Sequence, residues 1–239
     1  MMSKSRPRVS LYVDGFNLYK GLLIDHPESK WLDLYKLASL LAPEKEVVDV
    51  YYFTAEIKPR SPNDLAPFRQ KLYLRTLEVS GVKVVKGKFR ADPRWMPVRD
   101  RTLGEFTRPE IFRRRAKARG LRRLARTKHA FDVLVTKYEE KQSDVNLASH
   151  LLRDVYEGRV THAMVISGDT DLTTAIRFSV EAGCHVSIYI PARNNASAAL
   201  TEVASYLGWL KPSSLEASQL PQSVISPKGK PLIRPSEWA

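Results

Sequence analysis

Four aspartates have the residue type and the spacing for chemistry at a bound ion: Asp14, Asp144, Asp169 and Asp171. The first directly follows the apolar run 9–13, and the last two follow the apolar run 163–166. Side chains just beyond parallel strands face the ligand crevice of an open α/β sheet. Carboxylates gathered there would repel one another without a cation, and their oxygens suit Mg²⁺ or Mn²⁺. We therefore expect a divalent-metal site built from these four side chains.

The motifs that contain these aspartates also have purely structural interpretations. Asp14 and Asn17 belong to the run Asp-Gly-Phe-Asn, and both residue types are common helix N-caps. The pair Asp169 and Asp171 fits capping less well, because one helix start needs one cap and the second carboxylate would feel the charge of the first. Metal binding explains that pair better than capping does.

Three polar residues could support the aspartates: Asn17, Lys141 and Ser167. Asn17 offers amide atoms to a ligand, a water or a phosphate, and Ser167 could orient a carboxylate or a phosphate. Lys141 could stabilise a phosphate or pair with an aspartate.

Asp144, three residues further on, opens a predicted helix, where the helix dipole alone favours a carboxylate. Its value as a ligand therefore depends on whether it faces the same pocket.

The basic residues are concentrated in one stretch of the chain. The sequence of 239 residues has a net charge of +13, and residues 83–128 alone hold 17 Lys or Arg against 4 Asp or Glu. The densest part of this stretch contains no acid and nine basic residues: Arg113, Arg114, Arg115, Lys117, Arg119, Arg122, Arg123, Arg126 and Lys128. Such a block is typical of a protein that binds a phosphate backbone. A solvated basic helix without a partner is the alternative, and the lack of a broad apolar face disfavours a membrane surface.

Hydropathy patterns predict alternating strands and helices around these motifs. Strands are predicted at 9–13, 47–53, 82–85, 131–136, 163–166 and 185–190, and helices at 31–41, 67–79, 145–156, 172–182 and 196–206. The alternation favours a parallel sheet with right-handed crossovers. We expect one α/β domain at 1–210, interrupted by a basic insertion at about 86–130 that lacks clean periodicity. Residues 211–239, rich in Pro and Ser, should form a tail or a docking arm.

Composition narrows the class of protein. Cys184 is the only cysteine, so neither an intramolecular disulfide nor a thiolate metal cluster is expected. No apolar stretch approaches the ~18 residues of a membrane span, and the apolar run after the basic N-terminus is too short for a signal peptide. The five histidines are scattered, so zinc is not expected. We expect a soluble cytoplasmic protein that makes no membrane contact and whose oligomeric state, a homodimer included, stays open.

The order of the acidic motifs resembles that of the NYN domain, a PIN-like nuclease domain also found in LabA-like and DUF88 proteins. The resemblance spans roughly residues 8–210 and rests on the strand ending in Asp14-Gly-Phe-Asn17, then Lys141-x-x-Asp144, then Ser167-Gly-Asp-Thr-Asp171. The middle element usually reads Lys-Gly-Val-Asp in these proteins, whereas Gln142 and Ser143 stand between Lys141 and Asp144 here.

The resemblance implies a Rossmann-like three-layer α/β/α fold with a central parallel sheet, to which the basic insertion is added. It also implies a divalent-metal-dependent endonuclease, most simply acting on RNA with Mg²⁺ or Mn²⁺. Carried over position by position, it makes the four aspartates named above the metal-binding and catalytic residues, with Asn17 as a supporting polar group. The basic insertion is not among the shared motifs, and we interpret it as this chain's own element for holding RNA.

Three other functions are weighed against this one. A nucleic-acid-binding module without cleavage would gain nothing from clustered carboxylates that repel phosphate. A phosphatase with an aspartyl nucleophile would carry its Asp-x-Asp after the first strand, whereas here that spacing occurs late in the chain. A redox or other small-molecule enzyme on a Rossmann-like sheet ranks lower, because no Gly-x-Gly-x-x-Gly follows any predicted strand.

Overall fold

In the computed structural model, the described residues are 6–59, 61–98, 131–191 and 197–238. They divide into two units. The first contains the described residues up to Phe89 and those from Glu140 onward, and the second contains those within Arg90–Glu139. Each unit has its own sheet.

The described strands are β1 (Arg8–Asp14), β2 (Glu46–Thr54), β3 (Lys83–Lys86), β4 (Lys88–Val98), β5 (Phe131–Lys141), β6 (His162–Ile166), β7 (His185–Ile190), β8 (Tyr206–Trp209), β9 (Ser223–Ile225) and β10 (Pro231–Ile233). The described α-helices are α1 (Gly15–Leu18), α2 (Leu34–Leu41), α3 (Ala66–Val79), α4 (Ser143–Tyr156), α5 (Thr173–Glu181), α6 (Ala198–Val203) and α7 (Pro212–Glu216). A π-helical segment, Tyr19–Leu23, continues α1, and a 3₁₀ turn, Thr170–Leu172, precedes α5.

The first unit is built on a six-stranded parallel sheet in the order β3-β2-β1-β6-β7-β8. Helices cover both faces, so the architecture is the three-layer α/β/α fold that the sequence predicts. Strands β1, β2 and β3 follow one another toward one edge of the sheet, and β6, β7 and β8 follow one another toward the opposite edge. Open α/β sheets bind ligands at such a reversal of strand order, beyond the carboxyl ends of the strands. In this chain the reversal lies between β1 and β6.

The apolar runs of the strands are buried on both faces of this sheet. In β1, Leu11 and Val13 pack into a core with α2, α3 and α7, whereas Tyr12 packs into a second core with α4, α5 and α6. In β6, Met164 joins the first core and Val165 joins the second. A strand covered on both faces has no solvent-facing positions, which is why these strands read as continuous apolar runs and not as alternating patterns.

Two predicted elements are wrong in part. The helix predicted at 196–206 ends at Val203, and residues 206–209 form β8, the outer strand beside β7. Ala204 already has an extended backbone, and the aromatic residues that follow it favour a strand. The strand predicted at 131–136 continues to Lys141 as β5, and it pairs with β4 in a separate two-stranded sheet. The insertion therefore begins with a regular strand, although it shows no clean period in the sequence.

The second unit contains the greater part of β4 and β5, joined as that two-stranded sheet. Arg94 and Lys137 both lie near the carboxylate of Glu139, at 3.8 Å for the guanidinium of Arg94. The nine basic residues between Arg113 and Lys128 lie outside the described residues, so their predicted role remains an expectation.

The C-terminal segment docks on the first core. The indole Nε1 of Trp31, a fully buried residue, donates a hydrogen bond of 2.8 Å to the carbonyl of Pro221, and the ring of Trp238 lies 6.2 Å from that of Trp31. β9 and β10 form an antiparallel hairpin between these contacts. Of the two forms expected for residues 211–239, the structure shows the docking arm. Within the described part of the chain, no helix combines the length and the apolar character needed to cross a bilayer.

Candidate active site

Asp14 lies at the carboxyl end of β1, with its side chain held on both sides. Its Oδ1 accepts a hydrogen bond of 2.9 Å from the backbone N–H of Asn17, which makes Asp14 the N-cap of α1. Its Oδ2 accepts a hydrogen bond of 3.1 Å from the hydroxyl of Ser167, which follows β6. The residue is only 5% exposed. Asp14 is therefore a helix N-cap and also lies where a ligand is expected, so the two interpretations do not exclude each other. Its carboxylate is fixed at the reversal of strand order.

Gly15 permits the tight turn that follows Asp14. A Cβ atom at this position would lie 2.6 Å from Cζ of Tyr52 and 2.9 Å from the carbonyl oxygen of Phe53, both on the neighbouring strand β2. No side chain fits in that space without moving the backbone. Because Gly15 has no side chain, the start of α1 can lie close to β2. This close approach holds Asp14 at the carboxyl end of the sheet.

Asn17 ties the first motif to the one that follows β6. Its Oδ1 accepts a hydrogen bond of 3.0 Å from the backbone N–H of Gly168. With its oxygen engaged, the amide N–H groups of Asn17 are the part of the side chain that can meet a ligand. The supporting role expected from the sequence, if toward a ligand, would use these N–H donors.

The two late aspartates have different environments. The backbone N–H of Asp169 donates to Oγ of Ser167 at 3.1 Å, and Oδ1 of Asp169 accepts from the backbone N–H of Asp171 at 3.0 Å. Asp169 is therefore the N-cap of the short 3₁₀ turn, and the exposed carboxylate of Asp171 has no capping role there. One of the pair caps and the other does not, as the sequence predicts.

The third motif opens α4 with an unusual backbone. Gln142 precedes the helix at a φ of 82°, in the left-handed region that favours glycine. Its side chain makes no capping hydrogen bond; instead, Oε1 of Glu140 accepts the backbone N–H of Ser143 at 3.0 Å. Asp144 follows in the first turn of α4, partly buried. Position 142 is where the related Lys-Gly-Val-Asp pattern has glycine, so Gln142 adopts a conformation that suits the residue it replaces.

The charges show that these segments share one neighbourhood. Burial is the largest cause that raises the pKa of Asp144 to about 6, followed in order by the negative charges of Asp14, Asp169, Glu140 and Asp171. Burial also raises the pKa of Asp14, although the hydrogen bonds from Asn17 and Ser167 oppose the rise. All four predicted aspartates therefore interact electrostatically at the carboxyl end of the sheet.

Glu140 is a member of this cluster that the sequence does not single out. It caps the start of α4, and its charge raises the pKa of both Asp14 and Asp144. In the sequence it belongs to the run Glu139-Glu140-Lys141, which looks like an ordinary solvated face. Only the left-handed backbone of Gln142, two residues later, explains the capping role of Glu140. That conformation is not apparent from the sequence.

Comparison with family models gives a match to the NYN domain over residues 98–210. Residues 98–210 are therefore similar to an NYN domain. This finding confirms the resemblance seen in the motifs, and it points to the PIN-like nuclease superfamily. The matched part of the NYN domain contains Asp144, Asp169 and Asp171, whereas Asp14 and Asn17 precede it in the sequence. The fold brings these two residues to Ser167 and Gly168, inside the match.

Two further proteins are similar to this chain. One is the 6-hydroxy-3-succinoylpyridine 3-monooxygenase HspA of Pseudomonas putida (strain DSM 28022 / S16), which is 26% identical over 97% of this chain and 75% of its own length. The other is a solved structure, the protein of unknown function VPA0982 from Vibrio parahaemolyticus RIMD 2210633. It is 16% identical, with a TM-score of 0.49 over 92% of this chain and 100% of its own.

The donor set of the NYN domain fits a hard divalent cation in kind and in charge. It consists of carboxylate oxygens, which Mg²⁺ and Mn²⁺ prefer, and their mutual repulsion is the kind that a cation relieves. Among the described residues, however, no three His, Cys, Asp or Glu side chains approach closely enough to hold an ion together. The buried hydroxyl of Ser143 also lacks a hydrogen-bond partner among them. In the described residues, the acidic side chains are therefore close to one another but do not form a preformed coordination shell.

Proposed function

We propose that this NYN domain is a divalent-metal-dependent endonuclease that hydrolyses phosphodiester bonds in RNA. The observation that carries the proposal is that the four aspartates lie close enough to interact: the pKa of Asp144 is raised to about 6 by burial first and then by the charges of the other three and of Glu140. Such a concentration of negative charge beside a strand-order reversal favours a cation strongly. The match to the NYN model supports nuclease chemistry, because that domain is related to the PIN-like nucleases.

Each residue has a distinct part in this proposal. Asp14, Asp144, Asp169 and Asp171 would hold the ion, Mg²⁺ or Mn²⁺. A bound divalent ion neutralises charge on the phosphate oxygens and lowers the pKa of water. One of the carboxylates could also accept the proton of that water.

Two further side chains act on the substrate. The amide N–H groups of Asn17, whose oxygen is engaged by Gly168, would donate to a phosphate oxygen. Lys141 is exposed just before α4, and its charge would favour the phosphate. Neither side chain needs to move into the core to do this.

The basic block would provide affinity for RNA without reading its sequence. The nine Arg and Lys residues from Arg113 to Lys128 would neutralise phosphates and release counterions, so binding should weaken steeply with salt. We propose that the protein works on RNA in the cytoplasm.

The decisive experiment is an incubation of the purified full chain with end-labelled single-stranded RNA in Mg²⁺, in Mn²⁺ and in EDTA. Asp169→Asn removes one candidate ligand, and Asp25→Asn, an exposed aspartate outside the site, is the matched control. We expect metal-dependent cleavage in the wild type and the control and its loss in Asp169→Asn. Tight RNA binding without cleavage in any metal would reject the nuclease and leave a binding module.

The similarity to HspA over 97% of this chain favours one second candidate, the oxygenation of a substituted pyridine. A monooxygenase places one atom of O₂ in its substrate and reduces the other to water with two electrons from a reductant. The test is oxygen consumption with 6-hydroxy-3-succinoylpyridine and a nicotinamide reductant. Turnover that survives Asp169→Asn, together with no RNA cleavage, would favour this candidate over the nuclease.

A further inference from the structure

Two aromatic rings form a pair beside the acidic cluster. The rings of Phe16 and Phe89 have their centroids 6.1 Å apart and lie within 14° of parallel. Both residues are partly exposed. The ammonium of Lys20, itself exposed, lies 5.7 Å from the centroid of the Phe16 ring. The pair thus offers flat apolar surface with a positive charge next to it.

The chain segments that carry the rings also fix the position of the pair relative to the site. Phe16 lies between Asp14 and Asn17, in the first turn of α1. Phe89 follows Gly87, whose backbone packs against the start of α4: a Cβ atom there would lie 2.4 Å from the carbonyl oxygen of Lys141 and 2.8 Å from Oε1 of Glu140. The ring pair therefore joins the segment of Asp14 to the segment that leads into Asp144.

Among the described residues, the pair lies outside the two cores of the six-stranded sheet. Neither Phe16 nor Phe89 belongs to the two buried clusters that fill the faces of the sheet, or to the partly buried side chains packed against them. By contrast, Tyr12 on β1 and Phe53 on β2 are fully buried in one of those clusters. Partly exposed parallel rings at the edge of a charged site are typical of a surface that stacks a flat ligand.

We propose that Phe16 and Phe89 form a subsite that stacks one nucleobase of the RNA next to the bond that is cut, with Lys20 favouring the adjacent phosphate. The inference rests on the proposed function, which supplies the RNA. A base inside a duplex has both faces covered by its neighbours, so the subsite takes an unpaired base. Stacking on an aromatic ring is available to every base, so the subsite sets register along the strand and not sequence.

The test is a binding measurement in EDTA, with short single-stranded RNAs that each lack the base at one position. Fluorescence anisotropy gives the affinity, and a gel shows that the RNA stays intact. For the wild type we expect one position at which loss of the base weakens binding roughly 5- to 150-fold, the range found for the stacking of one base. In Phe16→Leu and Phe89→Leu, binding of the complete RNA should weaken by a similar factor, and removal of that base should make no further difference.

Two control variants separate stacking from general damage. Phe16→Trp keeps a flat ring and should retain the dependence on that base. Phe68→Leu changes a phenylalanine on α3 that is 69% exposed and outside the pair, and it should behave as the wild type. Far-UV circular dichroism and thermal melting check that each variant folds.

The outcomes separate this inference from the nuclease proposal, because binding is measured without cleavage. Base-dependent binding that disappears in both Leu variants supports the subsite even if no metal gives cleavage. Equal dependence on the missing base in wild type and Leu variants overturns the subsite while leaving the nuclease standing. Leu variants that lose affinity for 6-hydroxy-3-succinoylpyridine but keep the RNA affinity would also overturn it, since the rings would then serve the small molecule.

Discussion

The hydroxyl of Ser167 donates a hydrogen bond of 3.1 Å to Oδ2 of Asp14, and this contact joins the ends of β1 and β6 where the strand order reverses. The two residues are 153 positions apart in the chain. The hydrogen bond lowers the pKa of Asp14 against the effect of burial. Ser167 therefore favours the ionised form of a buried carboxylate and opposes the effect of burial.

Ser167→Ala should shift the acid limb of RNA cleavage to higher pH. Without the hydroxyl, the pKa of Asp14 rises further, so a larger fraction of the protein has a neutral Asp14 at a given pH. We expect kcat/KM to fall roughly tenfold at pH 6 and less at pH 8, as for the loss of a hydrogen bond to a charged group. The measurement is a pH–rate profile in Mn²⁺. Ser179→Ala removes another buried hydroxyl, on α5, and should leave the profile unchanged; equal profiles for all three proteins would contradict the role of Ser167.

Asp144→Asn should stabilise the protein at neutral pH. The pKa of Asp144 in the folded state, about 6, lies above its ordinary value of 3.8. Between these values the native protein binds more protons than the unfolded chain, so the contribution of Asp144 to stability falls as the pH rises from about 4 to about 6 and remains lost at pH 7. Solvent screening of this partly exposed carboxyl keeps the expected gain near about 1 kcal/mol, or roughly 2–4 °C in Tm.

Thermal melts of wild type and Asp144→Asn at pH 4 and pH 7, with and without Mn²⁺, check this expectation. The variant should melt higher than the wild type at pH 7 and with little difference at pH 4. Mn²⁺ should raise the Tm of the wild type at pH 7 and have a much smaller effect on the variant. Asp25→Asn should match the wild type throughout. A variant that is less stable than the wild type at pH 7 would show that burial and the neighbouring charges of Asp144 do not destabilise the folded protein.

Substitutions of Glu140 should separate its charge from its cap. Glu140→Gln removes the charge but keeps an oxygen that can accept the N–H of Ser143. Because the charge of Glu140 raises the pKa of Asp144, this variant should shift the acid limb of cleavage to lower pH with little change in stability. Glu140→Ala should shift the limb equally and also lose about 1 kcal/mol of stability with the cap. Urea titrations and pH–rate profiles of both variants measure the two effects; unchanged acid limbs in both would exclude Glu140 from the site.

Gln142→Gly should relieve the left-handed backbone before α4. A residue with a Cβ atom at a φ of 82° is strained by about 1 kcal/mol relative to glycine. Urea unfolding should therefore show a gain of that order, less the entropy that glycine adds to the unfolded chain. Gln142→Ala, which keeps the Cβ atom, should show no gain. If Gly and Ala variants are equally stable, the turn is not strained.

Much of the fold could be predicted from the sequence because it depends on local pattern. The apolar runs that become β1, β6 and β7 lie within one residue of their predicted bounds, and α4 starts two residues before its predicted start. β8 could not be predicted in this way. The run from Ala198 to Trp209 contains both helix formers and aromatics, and only pairing with β7 decides that its last four residues form a strand.

The sequence by itself determined the acidic motifs, the buried strands that carry them and the resemblance to the NYN domain, because all three depend on residue types in short segments. The tertiary structure alone decided that Asp14 meets Ser167, that Glu140 joins the cluster and that Phe16 faces Phe89. It also decided that the C-terminal arm closes over Trp31. These contacts join segments far apart in the chain, and they follow from the order of strands in the sheet. Hydropathy specifies that a strand is buried, but it does not specify which strand lies beside it.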